Sequence, residues 1–208
     1  KVSCPGHIEF GERRFHCWKR AGHGTVRLER SLSESCDVFY YDIAQKVGIE
    51  KIAETGRKLG LGTKFEIPMS AVTEGKMPDK AWLLERYKQE WRIGDTINAS
   101  IGQGYVLSSP LQLAVMTARL ANGRKAITPR LIRSVGGVNR PSGAAVPDLP
   151  FSQEHLDIVR AGMAAVANDV TGTAYRASQL GLGDIQMAGK TGTAQSRDYG
   201  SGSRGPRD

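Results

Sequence analysis

Three cysteines and one histidine in the first 36 residues constrain the fold of this chain more than any other feature of its sequence. They form the pattern C-x12-C-x5-H-x12-C, made by Cys4, Cys17, His23 and Cys36. Tetrahedral structural zinc takes four ligands of this kind, although the loops between them are longer than those of a usual zinc knuckle. The alternatives are a disulfide between the first two cysteines with the third buried as a small apolar residue, or three unrelated thiols. An odd number of cysteines argues against a closed disulfide framework, and His7 and His16 are alternatives to His23 as the nitrogen ligand.

The composition is that of a soluble globular domain. A chain of 208 residues can bury a real core, and 39% hydrophobic with 24% charged residues is ordinary for such a domain. These values argue against a disordered chain. No apolar run approaches the roughly 18 residues that a membrane span needs, and the charged, glycine-bearing N-terminus is not a signal peptide. We expect any membrane anchor to lie outside this segment.

The positive charge is concentrated near the N-terminal end. The net charge is +8, and residues 1–30, with seven basic and three acidic groups, supply half of it. Such a patch can face nucleic acid, an anionic membrane or an acidic cell-wall polymer, or it can be a solvated face. Aromatic and basic residues are not arranged as a recognisable nucleic-acid motif, so we expect no nucleic-acid partner. A zinc-stabilised basic binding module stays open as one interpretation.

Apolar periodicity and end signals predict short helices joined by loops, followed by a strand. The predicted helices cover residues 31–47, 49–59, 80–92, 110–120 and 152–168. The clearest start is Ser109-Pro110-Leu111-Gln112, a capping box with proline at the first helical position. In the first helix, Ser33 or Ser35 is the expected N-cap and Gly48 the expected end. Strands are predicted over 126–135 and 185–194, loops over 63–79 and 136–150, and a flexible loop over 196–208.

Two short strings near opposite ends of the chain carry a chemical signature. They are Ser35-Cys36-Asp37 and Lys190-Thr191-Gly192-Thr193, which match the second and third motifs of enzymes that use a Ser-x-x-Lys nucleophile. In such enzymes the serine attacks an acyl carbonyl and the lysine accepts its proton. No serine in these 208 residues has a lysine three positions later. The sequence therefore predicts a segment of such an enzyme that begins after its own nucleophile.

These strings become specific together with the sequence between them. They are accompanied, in order, by RSLSESCDVFYY at 30–41, GDT at 94–96, IGQGY at 101–105, SPLQ at 109–112 and GKTGTAQ at 189–195. Over nearly the whole chain, the sequence resembles the transpeptidase domain of class B penicillin-binding proteins. The order, the spacing and the segment WKRAGHG at 18–24 most resemble the elongation-specific subgroup of Gram-negative rods, penicillin-binding protein 2.

The resemblance implies an α+β fold, the α/β sandwich of penicillin-binding proteins and serine β-lactamases. Residues 1–208 would be a partial transpeptidase domain, with the Cys/His segment 1–36 inside it. We expect this fold to be incomplete at both ends, because the nucleophile motif is absent and a strand over 185–194 would leave an unpaired sheet edge.

The resemblance also implies roles for the third motif. Lys190 would offer a cation to the terminal carboxylate of the substrate, and Thr191 and Thr193 would offer hydroxyl donors to it. Gly192 would leave room for the substrate backbone. The backbone N–H of Thr193 would join that of the nucleophile in the oxyanion hole.

In the second motif, Ser35 would relay a proton between the catalytic lysine and the leaving amine. Asp37 stands where many relatives carry asparagine, so an acceptor replaces an amide that both donates and accepts. Helix capping is the alternative role for both residues.

Zinc is the one cofactor that the resemblance implies. Some penicillin-binding proteins 2 hold zinc through two acidic residues, a histidine and a cysteine inside the second motif. Cys36 and His23 match the last two positions, whereas Cys4 and Cys17 fall near the acidic ones. Thiolates in place of carboxylates would make the site softer and tighter for zinc. Such a metal would hold the helix start that presents Ser35 and Asp37.

The activity that the resemblance implies is D,D-transpeptidation of peptidoglycan stem peptides, with β-lactams acylating the same serine. A serine β-lactamase or β-lactam sensor of the same fold is the alternative. The implied partner is a RodA-type glycosyltransferase of the elongation complex. The implied location is the periplasmic face of the inner membrane of a Gram-negative bacterium, reached through an anchor outside this chain.

Overall fold

The computed structural model describes residues 1–139 and 145–194. The strands in these ranges are β1 Val2–Cys4, β2 His7–Phe10, β3 Arg13–His16, β4 Gly24–Val26, β5 Ser134–Val135 and β6 Val138–Asn139. The helices are α1 Leu28–Ser33, α2 Asp37–Val47, α3 Ile49–Leu59, α4 Lys80–Tyr87, α5 Ile93–Ala99, α6 Pro110–Ala121 and α7 Gln153–Asn168. A short 3-10 helix, Tyr175–Ala177, follows α7. This mixture of helices and strands agrees with the predicted α+β class.

The N-terminal segment consists of two antiparallel strand pairs that the sequence analysis did not predict. Strand β1 pairs with β4, and β2 pairs with β3. Two glycines allow the connecting loops to touch: a Cβ at Gly22 would lie 2.3 Å from the Cys4 carbonyl oxygen, and one at Gly6 would lie 2.1 Å from that of Arg20. The backbone N–H of Cys17 donates to the Gly6 carbonyl at 2.8 Å. These contacts bring the first two cysteines and the loop before β4 together.

The predicted helix over 31–47 is wrong at its start, because two helices, α1 and α2, meet there. Residues 34–36 separate them, and Ser35 adopts a left-handed backbone conformation with φ of 53°. That conformation cannot continue a right-handed helix. The N-cap of α2 is Cys36 rather than Ser33 or Ser35, and its side chain makes no capping hydrogen bond. Gly48 ends α2 as predicted.

The other helix predictions are confirmed where the end signals were strong. Helix α3 covers 49–59 and ends at a left-handed Gly60. Helix α6 has the predicted capping box, in which Ser109 Oγ accepts from the Gln112 N–H and Gln112 Oε1 accepts from the Ser109 N–H, each at 3.3 Å. Helix α7 begins at Ser152, whose Oγ accepts from the His155 N–H at 3.2 Å. Local side-chain hydrogen bonds therefore determine these starts.

Three other predictions are wrong. The helix predicted over 80–92 ends at Tyr87, and a separate helix, α5, begins at Ile93. The strand predicted over 126–135 is reduced to Ser134–Val135, which pairs with β6 inside the predicted loop 136–150. The strand predicted over 185–194 does not form, since no described segment pairs with it and a strand needs such a partner. The loop predicted over 196–208 lies outside the described residues.

The core around Cys36 is formed by α2, α5 and the N-terminal strands. Its buried apolar side chains include Val26, Val38, Phe39, Tyr41 and Ile97, together with the three cysteines. Helix α7 packs against α1 at Gly162, where a Cβ would lie 2.4 Å from the Leu32 side chain. In the described part of the chain, every helix is too short or too polar to cross a membrane.

Candidate active site and metal centre

The structure brings the second and third motifs into contact. The Lys190 ammonium donates to Ser35 Oγ at 2.7 Å and to the Thr191 carbonyl at 3.1 Å. Helix α7 positions the segment that carries Lys190, because the Gly189 N–H donates to the Met163 carbonyl at 3.0 Å. Asn168, near the end of the same helix, donates from Nδ2 to the Met187 carbonyl at 2.9 Å.

Ser35 occupies a backbone position that usually belongs to glycine. The Cys36 N–H donates to the Ser31 carbonyl at 3.0 Å and the Ser35 N–H donates to the Leu32 carbonyl at 3.3 Å. These two bonds form a Schellman motif at the end of α1, with Ser35 as its left-handed residue. A non-glycine residue in this conformation costs about 1–2 kcal/mol. The hydroxyl that faces Lys190 is therefore presented by a strained turn.

Thr173 is a site residue that the sequence analysis missed. Its backbone N–H donates to the Ser33 carbonyl at 3.0 Å, and its hydroxyl lies 2.8 Å from that of Thr191. It thus connects the segment before Ser35 with the third motif. The sequence signal that could have drawn attention to Thr173 was the glycine before it. Gly172 follows the end of α7, and a Cβ there would lie 2.4 Å from the Val166 carbonyl oxygen.

Gln103 supports the end of the third motif. Its Nε2 donates to the Thr193 carbonyl at 2.9 Å. Gly192 faces open space, since a Cβ there would meet no described atom within 4 Å. The third motif therefore runs along the surface. Gln103 binds it at Thr193, and the space beside Gly192 is open.

Two charged groups of the site have altered proton affinities. Burial raises the pKa of Asp37 to about 6, although the Trp18 backbone N–H and the Lys190 ammonium favour the carboxylate. Nearby protein atoms partly desolvate the Lys190 ammonium and lower its pKa, which the Asp37 carboxylate opposes. Lys190 as a whole residue remains exposed to solvent. Each group is thus placed where its charged form is less favourable than in water.

The predicted metal ligands form one buried cluster beside this site. The thiols of Cys4, Cys17 and Cys36 and one ring nitrogen of His23 all lie within 4.8 Å of one another. His23 Nδ1 is 3.6 Å from Cys4 Sγ and 3.5 Å from Cys17 Sγ. All four residues are buried, and the cysteines are not disulfide-bonded. This arrangement can hold a metal ion.

His7 and His16, the alternative nitrogen ligands, lie on the β2–β3 strand pair. They are paired with each other, and their ring centroids are 5.9 Å apart. Neither belongs to the cluster of thiols and imidazole in the described residues. The structure therefore selects His23.

The thiols of the cluster interact strongly. The hydrogen bond between the Cys36 and Cys17 thiols lowers the pKa of Cys17 and raises that of Cys36. The backbone N–H groups of Lys19, Asp37 and Val38 also favour the Cys17 thiolate. A thiolate is the form of cysteine that binds metal.

The other face of His23 points towards a charged pair. His23 Nε2 finds no hydrogen-bond partner among the described residues and lies 4.0 Å from Glu34 Oε2. The guanidinium of Arg30 donates to both carboxylate oxygens of Glu34, at 2.5 and 3.2 Å. With Nδ1 facing the thiols, the proton of a neutral His23 would be on Nε2, beside this carboxylate.

Comparison with known proteins shows that most of this chain is similar to one family of domains. The sequence profile of the penicillin binding protein transpeptidase domain matches residues 2–205. The peptidoglycan D,D-transpeptidase MrdA of Acinetobacter baumannii is 34% identical over 209 residues, which cover 98% of this chain and 30% of that protein.

Solved structures give the same result at the level of the fold. Penicillin-binding protein PBP2 of Helicobacter pylori is 36% identical and superposes with a TM-score of 0.82, covering 94% of this chain and 36% of that one. The same protein has been solved in complex with MreC. PBP2 of Pseudomonas aeruginosa is 34% identical with a TM-score of 0.77, covering 84% of this chain and 39% of that one.

These matches confirm the predicted transpeptidase fold and the resemblance to penicillin-binding protein 2. The chain spans about a third of the length of the relatives it matches. Its second and third motifs lie in hydrogen-bond contact, and its family profile extends over almost all of its length. The chain belongs to the penicillin-binding protein transpeptidase family.

Proposed function

We propose that this chain is part of a peptidoglycan D,D-transpeptidase of cell-wall elongation. The observation that carries the proposal is the contact between Lys190 and Ser35, since two motifs of one acyl-transfer site meet there. The similarity to enzymes named D,D-transpeptidase MrdA supports the same activity. The nucleophilic serine and its lysine would come from residues outside these 208, which contain no Ser-x-x-Lys.

In the proposed reaction, the nucleophilic serine attacks the carbonyl carbon between two D-alanine residues of a stem peptide. The oxyanion that develops is stabilised by backbone N–H groups, including that of Thr193. The lysine of the nucleophile motif takes the proton of the attacking serine, and as the C–N bond breaks Ser35 relays a proton from that lysine to the departing amine of D-alanine. An amine of a neighbouring stem peptide attacks the acyl-enzyme and releases the serine, so one peptide bond replaces another.

The third motif would bind the substrate. Lys190, Thr191 and Thr193 offer a cation and two hydroxyls to the terminal carboxylate of the stem peptide. The open space beside Gly192 suits an extended peptide backbone. A β-lactam carries a carboxylate and a reactive carbonyl, so it would bind in the same way and acylate the same serine.

We also propose that the metal of the cluster is zinc. Tetrahedral zinc, with bonds of about 2.3 Å to sulfur and about 2.0–2.1 Å to nitrogen, places a sulfur and a nitrogen ligand about 3.6 Å apart. The two measured sulfur–nitrogen distances, 3.6 and 3.5 Å, fit this geometry. Cys4, Cys17, His23 and Cys36 would supply all four ligands of a tetrahedral zinc, so its role would be structural. It would stabilise the start of α2 and the turn that carries Ser35.

The proposed partners follow from the relatives. Helicobacter pylori PBP2 has been solved with MreC, and a related chain belongs to a peptidoglycan synthase complex that coordinates polymerisation and crosslinking. We infer that the full-length protein acts with a RodA-type glycosyltransferase and other elongation proteins. Its place would be the periplasmic face of the inner membrane of a Gram-negative bacterium.

The test uses the full-length protein that contains this chain. It should be labelled covalently by a fluorescent penicillin and should form cross-linked muropeptides from nascent peptidoglycan. Replacing the nucleophilic serine by alanine is the control and should abolish both. Absence of labelling in the wild type would contradict the proposal. Rapid release of the label by water would instead identify the β-lactamase alternative.

A further inference from the structure

Trp18 connects the cluster of Cys4, Cys17, His23 and Cys36 with the second motif. It follows Cys17 in the sequence, and its ring lies edge-on against that of His23, with centroids 5.5 Å apart. Its indole N–H donates to the carbonyls of Glu34 and Ser35, at 3.0 and 2.9 Å. Its backbone N–H donates to Asp37 Oδ2 at 2.9 Å. One residue thus contacts the cluster and both sides of Cys36.

The indole hydrogen bonds stabilise a turn that is unfavourable by itself. The carbonyls at the end of a helix have no partner within it, and those of Glu34 and Ser35 belong to the turn that follows α1. Ser35 is in the left-handed conformation, which a serine rarely adopts. A donor shared by both carbonyls satisfies them and favours this conformation.

Burial does not explain the position of Trp18. The residue is 57% exposed, whereas the aromatic residues of the adjacent core, such as Phe39 and Tyr41, are each 5% exposed. Its polar groups are directed at residues 34, 35 and 37. This pattern fits a residue whose contribution is to orient the motif rather than to fill the core.

We propose that Trp18 is a positioning residue that holds the Ser35 hydroxyl opposite Lys190. Because it also contacts His23, it links the position of the Cys/His cluster to that of the motif. The proposal rests on the proposed function, because its effect is measured on acylation. Trp18 would act through Ser35, whose carbonyl it binds.

The test compares two matched substitutions in the full-length protein, Trp18→Phe and Trp91→Phe. Each removes one indole N–H donor: that of Trp18 bonds to the carbonyls of Glu34 and Ser35, whereas that of Trp91 bonds to Thr96 Oγ1 at 2.8 Å. Stopped-flow acylation by a fluorescent penicillin separates the rate at saturation from the affinity of the initial complex. We expect Trp18→Phe to lower the saturating rate about fivefold to tenfold with unchanged initial affinity, and Trp91→Phe to leave both unchanged.

A second replacement removes only the N–H. In 3-benzothienylalanine a sulfur atom takes the place of the indole N–H, so incorporating it at position 18 keeps the size of the ring and its contact with His23. We expect the same loss of rate as in Trp18→Phe, with full metal content. A wild-type rate in this variant, or equal rates in the two phenylalanine variants, would overturn the role of Trp18. A wild type that is not acylated at all would instead reject the proposed function.

Discussion

The Lys190 ammonium donates a 2.7 Å hydrogen bond to the Ser35 hydroxyl, although the two residues are 155 positions apart in the sequence. The contact places a cation beside a hydroxyl that can accept or donate a proton. It also depends on two strained or crowded places, the left-handed turn at Ser35 and the packing of α7 against α1.

Lys190→Met should lower the acylation rate of the full-length protein by about 100-fold or more, because the cation that faces Ser35 and that we propose to bind the substrate carboxylate is lost. Stability should not fall with it. Because desolvation lowers the pKa of Lys190 below 10.5, the folded state disfavours the charged form. That cost is fully present below the folded pKa and disappears above about pH 10.5.

The measurement for this variant is the melting temperature at neutral and strongly alkaline pH beside the acylation rate. Any gain in melting temperature at pH 7 should shrink near pH 11. Lys46→Met is the control, since the partner of Lys46 among the described residues is Asp42, on the exposed side of α2. A large fall in melting temperature for Lys190→Met would assign the lysine a structural role and contradict this prediction.

Ser35→Gly and Ser35→Ala should separate catalysis from backbone strain. Both variants lose the hydroxyl, so both should lose acylation to a similar degree. Glycine tolerates the φ of 53° that alanine does not. The free energy of unfolding of the glycine variant should therefore exceed that of the alanine variant by about 1 kcal/mol, a difference of about 2–4 °C in melting temperature. Differential scanning calorimetry checks the order, and an alanine variant as stable as the glycine variant would contradict it.

His23→Ala should remove the metal, whereas His16→Ala should not. Only His23 of this pair lies with the thiols, so its loss leaves three ligands and a buried gap. We expect about one zinc per chain in the wild type and in His16→Ala, and clearly less in His23→Ala. The melting temperature of His23→Ala should fall by about 4–8 °C, for a loss of about 2 kcal/mol. Elemental analysis and calorimetry provide both values, and equal zinc in the two variants would reject the cluster as the metal site.

Thr173→Val should slow acylation without unfolding the protein. Valine keeps the shape of threonine and the backbone bond to the Ser33 carbonyl, but it loses the hydroxyl contact with Thr191. We expect a reduction of about threefold to tenfold, for the loss of one hydrogen bond. Thr117→Val is the matched control, since in the described part of the chain the Thr117 hydroxyl donates to the Leu113 carbonyl within its own helix, α6. If both variants acylate at the wild-type rate, Thr173 has no role in positioning the third motif.

Local signals explain which parts of the fold were predictable. The starts of α6 and α7 were predicted because Ser109 and Ser152 bond to backbone groups only three residues away. The break before α2 was not predicted. The apolar residues around Ser35 have helical spacing, and a serine is not a sequence signal for a left-handed turn. The strand predicted over 185–194 failed for the opposite reason, since a strand depends on a partner that the local sequence does not contain.

The candidate site, like the fold, was predictable in part from the sequence. The sequence by itself determined the kinds of group present: a Cys/His set suited to zinc, a Ser-x-Asp string and a Lys-Thr-Gly-Thr string, because the chemistry of a side chain belongs to its residue. Only the tertiary structure decided which atoms meet. It selected His23 over His16, added Trp18 and Thr173, and brought Lys190 to Ser35. Contacts between distant residues depend on how helices and loops pack, and close approaches such as that of Gly162 to Leu32 appear only once the chain has folded.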